Sequence, residues 1–176
     1  DHARRRIQRV VIDKEGHEMG HWLVARGFTA FVLYYRLPGE GWAAGPNVAL
    51  SDAQRSIRLI RQRSGEYSVD PDRVAVMGFS AGGHLCADLA TRFAAQTYDV
   101  VDAADHLSAR PMLAAAIYPV ISMTPPVAHA GSRELLIGKD PGLDIERAHS
   151  PQHNVPPDTP PCFLLHAEDD ESVPVE

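Results

Sequence analysis

The pentapeptide Gly78-Phe79-Ser80-Ala81-Gly82 constrains the fold of this chain more than any other feature, because a short apolar run meets a helical pattern across it. A serine held on a sharp strand-to-helix turn has strained backbone angles. A side chain two positions before or after that serine is expected to collide with the neighbouring strand or helix, so glycine stands at both places. The pattern predicts that Ser80 is a nucleophile and that the N–H of Ala81, at the start of the helix, holds an oxyanion.

The context of the pentapeptide carries this prediction, since so short a pattern also arises by chance. Residues 73–77 form an apolar run after the turn signal Asp70-Pro71-Asp72, and are predicted to be a buried strand. Beyond the turn, Leu85, Leu89 and Phe93 recur at four-residue spacing, which is typical of the buried face of a helix. Ser80 therefore lies between two recognisable elements.

Composition narrows the class of protein. The chain is 44% hydrophobic and 23% charged with a formal net charge of −6, which favours a single compact domain over 1–176 and disfavours nucleic acid as a partner. No window approaches the run of about 18 apolar residues that a membrane span requires, so no membrane partner is expected. No apolar signal region follows the first six residues, which favours the cytoplasm, with secretion open if a leader precedes residue 1. The oligomeric state stays open.

Cys86 and Cys162 both fall in apolar segments, and we expect reduced, buried thiols rather than a disulfide or a metal pair. Neither a cofactor nor a metal site is predicted.

Helical and extended segments alternate along the chain. A helix is predicted over Lys14 to Arg26 with Asp13 as N-cap and Gly27 as its stop. A second helix is expected to open at a capping box, Ser51-x-x-Gln54. Its inward face is predicted to carry Leu50, Ala53, Ile57 and Ile60.

Three further segments are predicted to be strands: Thr29 to Tyr35, Leu113 to Tyr118 and Cys162 to His166. Strands separated by helices imply an α/β fold with a parallel sheet covered on both faces.

Five segments of the chain resemble the α/β-hydrolase esterases of the acetylxylan-esterase and feruloyl-esterase-like group. They are Ile12–His17, Tyr35–Pro38, Gly78–Leu85, Tyr118–Met123 and Pro160–Pro174. The resemblance implies a partial three-layer α/β/α sandwich with a mostly parallel sheet. It also implies hydrolysis of a carboxylic ester through a Ser-Asp-His triad, with a small ester or an acetylated oligosaccharide as substrate.

The resemblance places the triad acid at Asp170, on a loop just after a strand, with Asp169 as its rival. A carboxylate there can orient a histidine and stabilise its imidazolium. In this fold the histidine follows the acid in the chain, and no histidine follows Asp170 up to Glu176. The chain is therefore expected to be truncated at both ends and to lack its base. His84 is a weak substitute because its helix runs away from the hydroxyl, and His166 is interpreted as structural.

The identity of the second oxyanion donor also stays open. The family's glycine-rich oxyanion loop is expected shortly before Ile12, where this chain has Arg4-Arg5-Arg6-Ile7. Arginine does not adopt the backbone that turns amides inward as glycine does.

Three alternatives remain. His17-Glu18-Met19-Gly20-His21 fits a zinc hydrolase pattern, although Gly16 and Gly20 weaken the helix and only Glu40 suggests itself as a third ligand. Peptidases of the prolyl-oligopeptidase type share a similar serine turn and acid loop. The chain can also be an inactive fragment whose sheet edges are exposed.

Overall fold

The structure is a computed structural model that describes residues 12–173 and residue 175. The chain divides into two compact units, Asp1–Tyr34 and Tyr35–Glu176, which we describe separately. A single domain over the whole chain stays a prediction. In the described part, none of the helices combines the length and the apolar character needed to cross a membrane.

From residue 12 onward, the first unit contains one helical segment. A π-helix, Ile12–Glu18, leads directly into helix α1, Met19–Val24. The predicted stop is confirmed, because Gly27 has φ 85° and its N–H donates to the carbonyl of Val24. The predicted N-cap is wrong, since Asp13 lies inside the π-helix rather than before it.

The strand predicted over Thr29 to Tyr35 is not formed, despite its β-branched and aromatic residues. Such residues favour a strand only where a neighbouring strand pairs with their backbone groups. The ladders among the described residues join three other strands and do not include this segment.

Those three strands form a parallel sheet in the order β1-β2-β3: β1 is Val76–Phe79, β2 is Ala114–Ile117 and β3 is Cys162–Leu165. The predicted strands at 113–118 and 162–166 are confirmed to within a residue at each end. The strand predicted at 73–77 is displaced, because the regular ladder with β2 begins where the N–H of Val76 donates to Leu113 O. Parallel pairing sends all three strands to the same carboxyl edge.

Helices separate the strands in the chain, as the α/β prediction requires. The α-helices of the second unit are α2 Val48–Gln62, α3 Ser64–Tyr67, α4 Ala81–Arg92, α5 Ala130–Ile137 and α6 Leu143–Ala148. Short 3₁₀-helices lie at Pro38–Glu40, Gly45–Asn47, Ala103–His106 and Pro151–His153.

The main core forms where α2 and α4 pack together beside β1. Its buried members include most of the predicted inward residues of α2 and of α4: Leu50, Ala53, Ile57, Leu85, Leu89 and Phe93. Ile60, also predicted to face inward, is only partly buried and packs against this core. A second cluster packs Cys86 and Ala90 of α4 against Ala114 and Ala116 of β2. The small side chains of the second cluster let the helix approach the sheet closely.

The predicted capping box is wrong, because α2 begins at Val48, before Ser51. Ser51 instead donates its hydroxyl to the carbonyl of Asn47, one turn earlier, at 2.9 Å.

Gln54 is fully buried and, instead of capping the start of α2 as predicted, forms hydrogen bonds near the end of α4. Its Nε2 donates to the carbonyls of Arg92 at 3.0 Å and Ala95 at 2.9 Å, and its Oε1 accepts from the hydroxyl of Thr97 at 2.7 Å. The last carbonyls of a helix lack intrahelical donors. Gln54 of α2 therefore satisfies the C-terminal end of α4.

The two cysteines differ in burial. Both are free, as predicted, and Cys86 is buried, which raises the pKa of its thiol to about 12. The prediction of a buried thiol is wrong for Cys162, because all four residues of β3 are exposed.

We expect Gln54→Ala to lower the free energy of unfolding by about 2 kcal/mol, because it leaves buried carbonyls without donors. Gln62→Ala, at the exposed end of the same helix, is the matched control and should change it by less than about 0.5 kcal/mol. Denaturant unfolding followed by circular dichroism measures both. Equal effects of the two substitutions would contradict the role given to Gln54.

Candidate active site

Ser80 joins the carboxyl end of β1 to the first residue of α4. Its backbone has φ 50° and ψ −115°, a combination that a non-glycine residue adopts only when its surroundings impose it. The N–H of Ser80 donates to Ile117 O of β2 at 3.0 Å, and its carbonyl accepts from the N–H of His84 at 3.0 Å. The sheet and the helix thus hold the serine from opposite sides.

Two glycines allow this turn, but they are not the two that the pentapeptide suggests. A Cβ on Gly78 would overlap the carbonyl of Gly82, so the predicted collision is confirmed before the serine. A Cβ on Gly82 itself meets nothing within 4 Å, so the predicted collision after the serine is wrong. The second close approach lies at Gly83, where a Cβ would come within 3.0 Å of Pro119.

The N-terminus of α4 faces the same place as Ser80. Ala81 is the first helical residue, and an amide at that position has no acceptor within the helix. The aligned peptide dipoles of α4 add a partial positive charge there. The side chain of Ser80 makes no capping hydrogen bond to the helix. The turn therefore combines a hydroxyl with an anion-stabilising helix end.

Tyr118 lies beside the turn, and the serine motif does not predict it as part of the site. It follows β2 with φ 37°, another left-handed backbone at the carboxyl edge. Its ring centroid lies 5.9 Å from that of Phe79. Its N–H donates to Leu165 O of β3 at 2.6 Å. A pattern centred on the serine contains no signal for a residue 38 positions away, whereas the β1–β2 register brings the two strand ends together.

Asp170 lies on the loop that follows β3. Its Oδ1 accepts the backbone N–H groups of Ser172 at 2.8 Å and Val173 at 3.0 Å, and its Oδ2 is 3.4 Å from Nε2 of His166. The two backbone N–H groups and the nearby imidazole lower the pKa of Asp170 below its ordinary value, so the carboxylate is ionised at neutral pH. Asp169 is exposed.

Parallel topology places Ser80 and Asp170 at the same edge, one after β1 and the other after β3, with β2 between them. Adjacent strands are about 4.8 Å apart, so these strand ends are separated by about 10 Å.

His84 and His166, the two histidines nearest in sequence to Ser80 and Asp170, have other partners. Nδ1 of His84 lies 2.8 Å from Val120 O, and burial lowers the pKa of the ring. Nε2 of His166 lies 2.8 Å from Val173 O, within the acid loop.

Within their own units, His17 and Glu40 of the zinc pattern each have another hydrogen-bond partner. Nε2 of His17 lies 2.8 Å from the hydroxyl of Tyr34. Glu40, in the second unit, accepts the indole N–H of Trp42 at 2.9 Å. The one group of three potential metal ligands among residues 12–173 and 175 contains neither His17 nor His21. The Arg4-Arg5-Arg6 segment lies outside the described residues.

We expect Gly78→Ala to abolish folding, because its Cβ would overlap backbone atoms that cannot move without separating α4 from β1. Gly82→Ala is the matched control, and should raise the free energy of unfolding by up to about 1 kcal/mol, since alanine favours a helix. Expression in soluble form and thermal unfolding of both variants measure this. A soluble Gly78→Ala protein with an unchanged melting temperature would contradict the steric account.

Comparison with known proteins was made against families, sequences and solved structures. The BD-FAE family model matches residues 11–176, nearly the whole chain. The acetylxylan esterase of Xylanibacter ruminicola is 33% identical over 164 residues, which cover 92% of this chain and 31% of that protein. Endo-1,4-beta-xylanase B of Butyrivibrio fibrisolvens is 36% identical over 151 residues, covering 86% of this chain and 24% of that protein. The chain thus spans about a quarter to a third of these relatives.

Two solved structures carry the same fold over most of the chain. The acetyl ester-xyloside bifunctional hydrolase of Caldicellulosiruptor lactoaceticus has a TM-score of 0.80 at 39% identity, covering 90% of this chain and 56% of that one. Thermogutta terrifontis esterase 2, phosphoramylated by tabun, has a TM-score of 0.71 at 26% identity, covering 92% and 56%. Together with the parallel sheet and its helices, these matches show a partial α/β-hydrolase fold. The chain belongs to the BD-FAE family of α/β-hydrolase esterases.

Proposed function

We propose that the protein hydrolyses carboxylic esters with Ser80 as nucleophile, and that its substrate is an acetylated carbohydrate. The observation that carries this proposal is the backbone of Ser80, held at φ 50° between a strand end and the first residue of a helix. Strain of this kind is kept only where the surrounding structure imposes it, and it clusters at catalytic positions. Here it presents a hydroxyl beside a helix N-terminus.

In the proposed reaction the Oγ of Ser80 attacks the ester carbonyl carbon while a histidine base takes the hydroxyl proton. The carbonyl oxygen becomes an oxyanion, which the Ala81 N–H stabilises. The tetrahedral intermediate expels the alcohol, which takes the proton from the imidazolium and leaves an acyl-serine. A water then attacks with the same base, releases the acid and restores Ser80.

Asp170 is the proposed partner of the base. Its carboxylate is ionised and fixed by two backbone N–H groups, so it can orient an imidazole and stabilise the positive charge that forms on it. We assign the base to a histidine that follows Asp170, the chain order of this fold, rather than to His84 or His166.

The relatives support the nucleophile and the substrate class. Thermogutta terrifontis esterase 2 is phosphoramylated by tabun, and organophosphorus compounds modify activated nucleophiles. By their names, the similar esterase of Xylanibacter ruminicola acts on acetylxylan, and the hydrolase of Caldicellulosiruptor lactoaceticus acts on an acetyl ester and a xyloside. These relatives favour an acetyl ester over a prolyl peptide.

In protein that carries the base histidine after Asp170, we expect Ser80→Ala to lower kcat for an aryl acetate by about 10⁴-fold or more, because the covalent step is lost. Ser68→Ala is the matched control, since Ser68 has nearly the same φ, 52°, but lies at an exposed helix end away from the sheet. It should keep kcat within about twofold. Steady-state assays on aryl acetate, acetylated xylan and a prolyl anilide measure these rates. Cleavage of the anilide alone would replace the esterase with a peptidase.

In the same histidine-containing protein, we expect Asp170→Asn to lower kcat by about 10⁴-fold, because the amide no longer stabilises an imidazolium. Its carbonyl oxygen can still accept the N–H groups of Ser172 and Val173, so the loop should keep its shape. Asp169→Asn tests the rival carboxylate and should leave kcat nearly unchanged. The same aryl acetate assay, with circular dichroism as a check on folding, decides between them. A greater loss in the Asp169 variant would transfer the role to Asp169.

A further inference from the structure

A buried cluster of three potential ligands lies away from the turn at Ser80. His84 and Asp88 stand one turn apart on α4, and His149 follows the end of α6. One ligand atom from each lies within 4.8 Å of the others, and all three residues are buried. Nδ1 of His149 is 3.9 Å from Oδ2 of Asp88. None of the three has a part in the proposed esterase chemistry.

Two nitrogens of this cluster lack hydrogen-bond partners within the described part of the chain. They are Nε2 of His84 and Nδ1 of His149, on side chains that are more than nine-tenths buried. A buried nitrogen without a partner loses the hydrogen bonds it would have made to water. Here two such atoms point to a ligand between them.

The tautomer of His84 suits a metal ligand. Its Nδ1 lies 2.8 Å from Val120 O, and a carbonyl can only accept, so the proton resides on Nδ1. Nε2 therefore carries a free lone pair. Histidine ligands of metals commonly donate their other N–H to a carbonyl in this way, which fixes the ring.

Asp88 is held in the cluster by an ion pair with Arg92. Asp88 supplies a carboxylate whose two oxygens lie 3.2 and 3.3 Å from one Nη of Arg92. Arg92 is also held by the side chain of Asn47 at 2.9 Å. One carboxylate oxygen can stay with Arg92 while the other turns to a metal.

We propose that His84 Nε2, a carboxylate oxygen of Asp88 and His149 Nδ1 bind a divalent transition metal, with Zn²⁺ as the probe. Two imidazoles and a carboxylate are a ligand set that Zn²⁺ takes in tetrahedral sites, with water in the fourth position. Zinc–ligand distances of about 2.0–2.1 Å put tetrahedral ligands about 3.4 Å apart, so the cluster contracts on binding.

The metal would link α4, through His84 and Asp88, to His149 at the end of α6. Its role is structural and is independent of the esterase proposal. No metal site is predicted from the sequence, and no short pattern joins His149 to the other two ligands, from which it lies far along the chain.

The first test is equilibrium dialysis of the purified protein against Zn²⁺, with metal content measured by mass spectrometry. We expect one Zn²⁺ per chain, and a loss of affinity of at least about tenfold in His149→Ala and Asp88→Asn. Two controls should keep the affinity: His153→Ala, an exposed histidine in the next turn, and His21→Ala, from the His17/His21 pair. Absence of Zn²⁺ uptake by folded protein, or full uptake by both ligand variants, overturns the proposal.

A second measurement needs no substitution in the buried cluster, so it holds even if those variants do not fold. In ¹⁵N-labelled parent protein, Zn²⁺ should shift the imidazole resonances of His84 Nε2 and His149 Nδ1 while the other histidines stay unchanged. If these ring nitrogens do not respond to Zn²⁺, the metal site is refuted. Because the readout is binding, its failure leaves the esterase proposal unaffected.

Discussion

The close approach of helix α4 to strands β1 and β2 is the constraint on which the site depends. Alanines on β2 and small residues on α4 bring the helix against the sheet, and Gly83 lets it pass within contact of Pro119. The chain then has a single residue in which to turn from strand to helix. Ser80 takes that position, and its backbone is strained because the packing on both sides is stronger than its own preference. Strain and function therefore have a common origin in the packing.

Parallel pairing extends the consequences of that packing across the sheet. Because β1, β2 and β3 all end at one edge, residues far apart in sequence reach the same region: Ser80, Tyr118 and Asp170. The acid loop is built by its own backbone, with two N–H groups held by one carboxylate oxygen. An ionised group fixed in this way costs little reorganisation when a positive charge forms beside it. The carboxyl edge of the sheet therefore brings together groups that follow different strands, among them the hydroxyl of Ser80 after β1 and the carboxylate of Asp170 after β3.

Apolar runs and the serine turn could be predicted from the sequence because their signals are local. Residues 114–117 and 162–165 are nearly continuous apolar runs, as expected for strands of a parallel sheet. The segment from Thr29 to Tyr35 carries the same signal, yet a strand also needs a partner strand, and the segment's own residues do not show whether one is present.

The remaining features depend on contacts between distant parts of the chain. Ser51 and Gln54 fit a capping pattern, but the helix starts earlier, and both side chains form hydrogen bonds elsewhere. Gly82 fits the serine motif, whereas the steric need lies at Gly83. The cluster of His84, Asp88 and His149 arises only when α4 and the end of α6 meet.

The location of covalent labelling by a fluorophosphonate tests the central claim most directly, because such a reagent reports an activated nucleophile without regard to the substrate. Peptide mass spectrometry of the labelled protein should place a single adduct on Ser80, and Ser80→Ala protein should remain unlabelled while Ser68→Ala protein is labelled in full. An adduct on another residue, or ester hydrolysis by a protein whose Ser80 is never modified, would contradict the account.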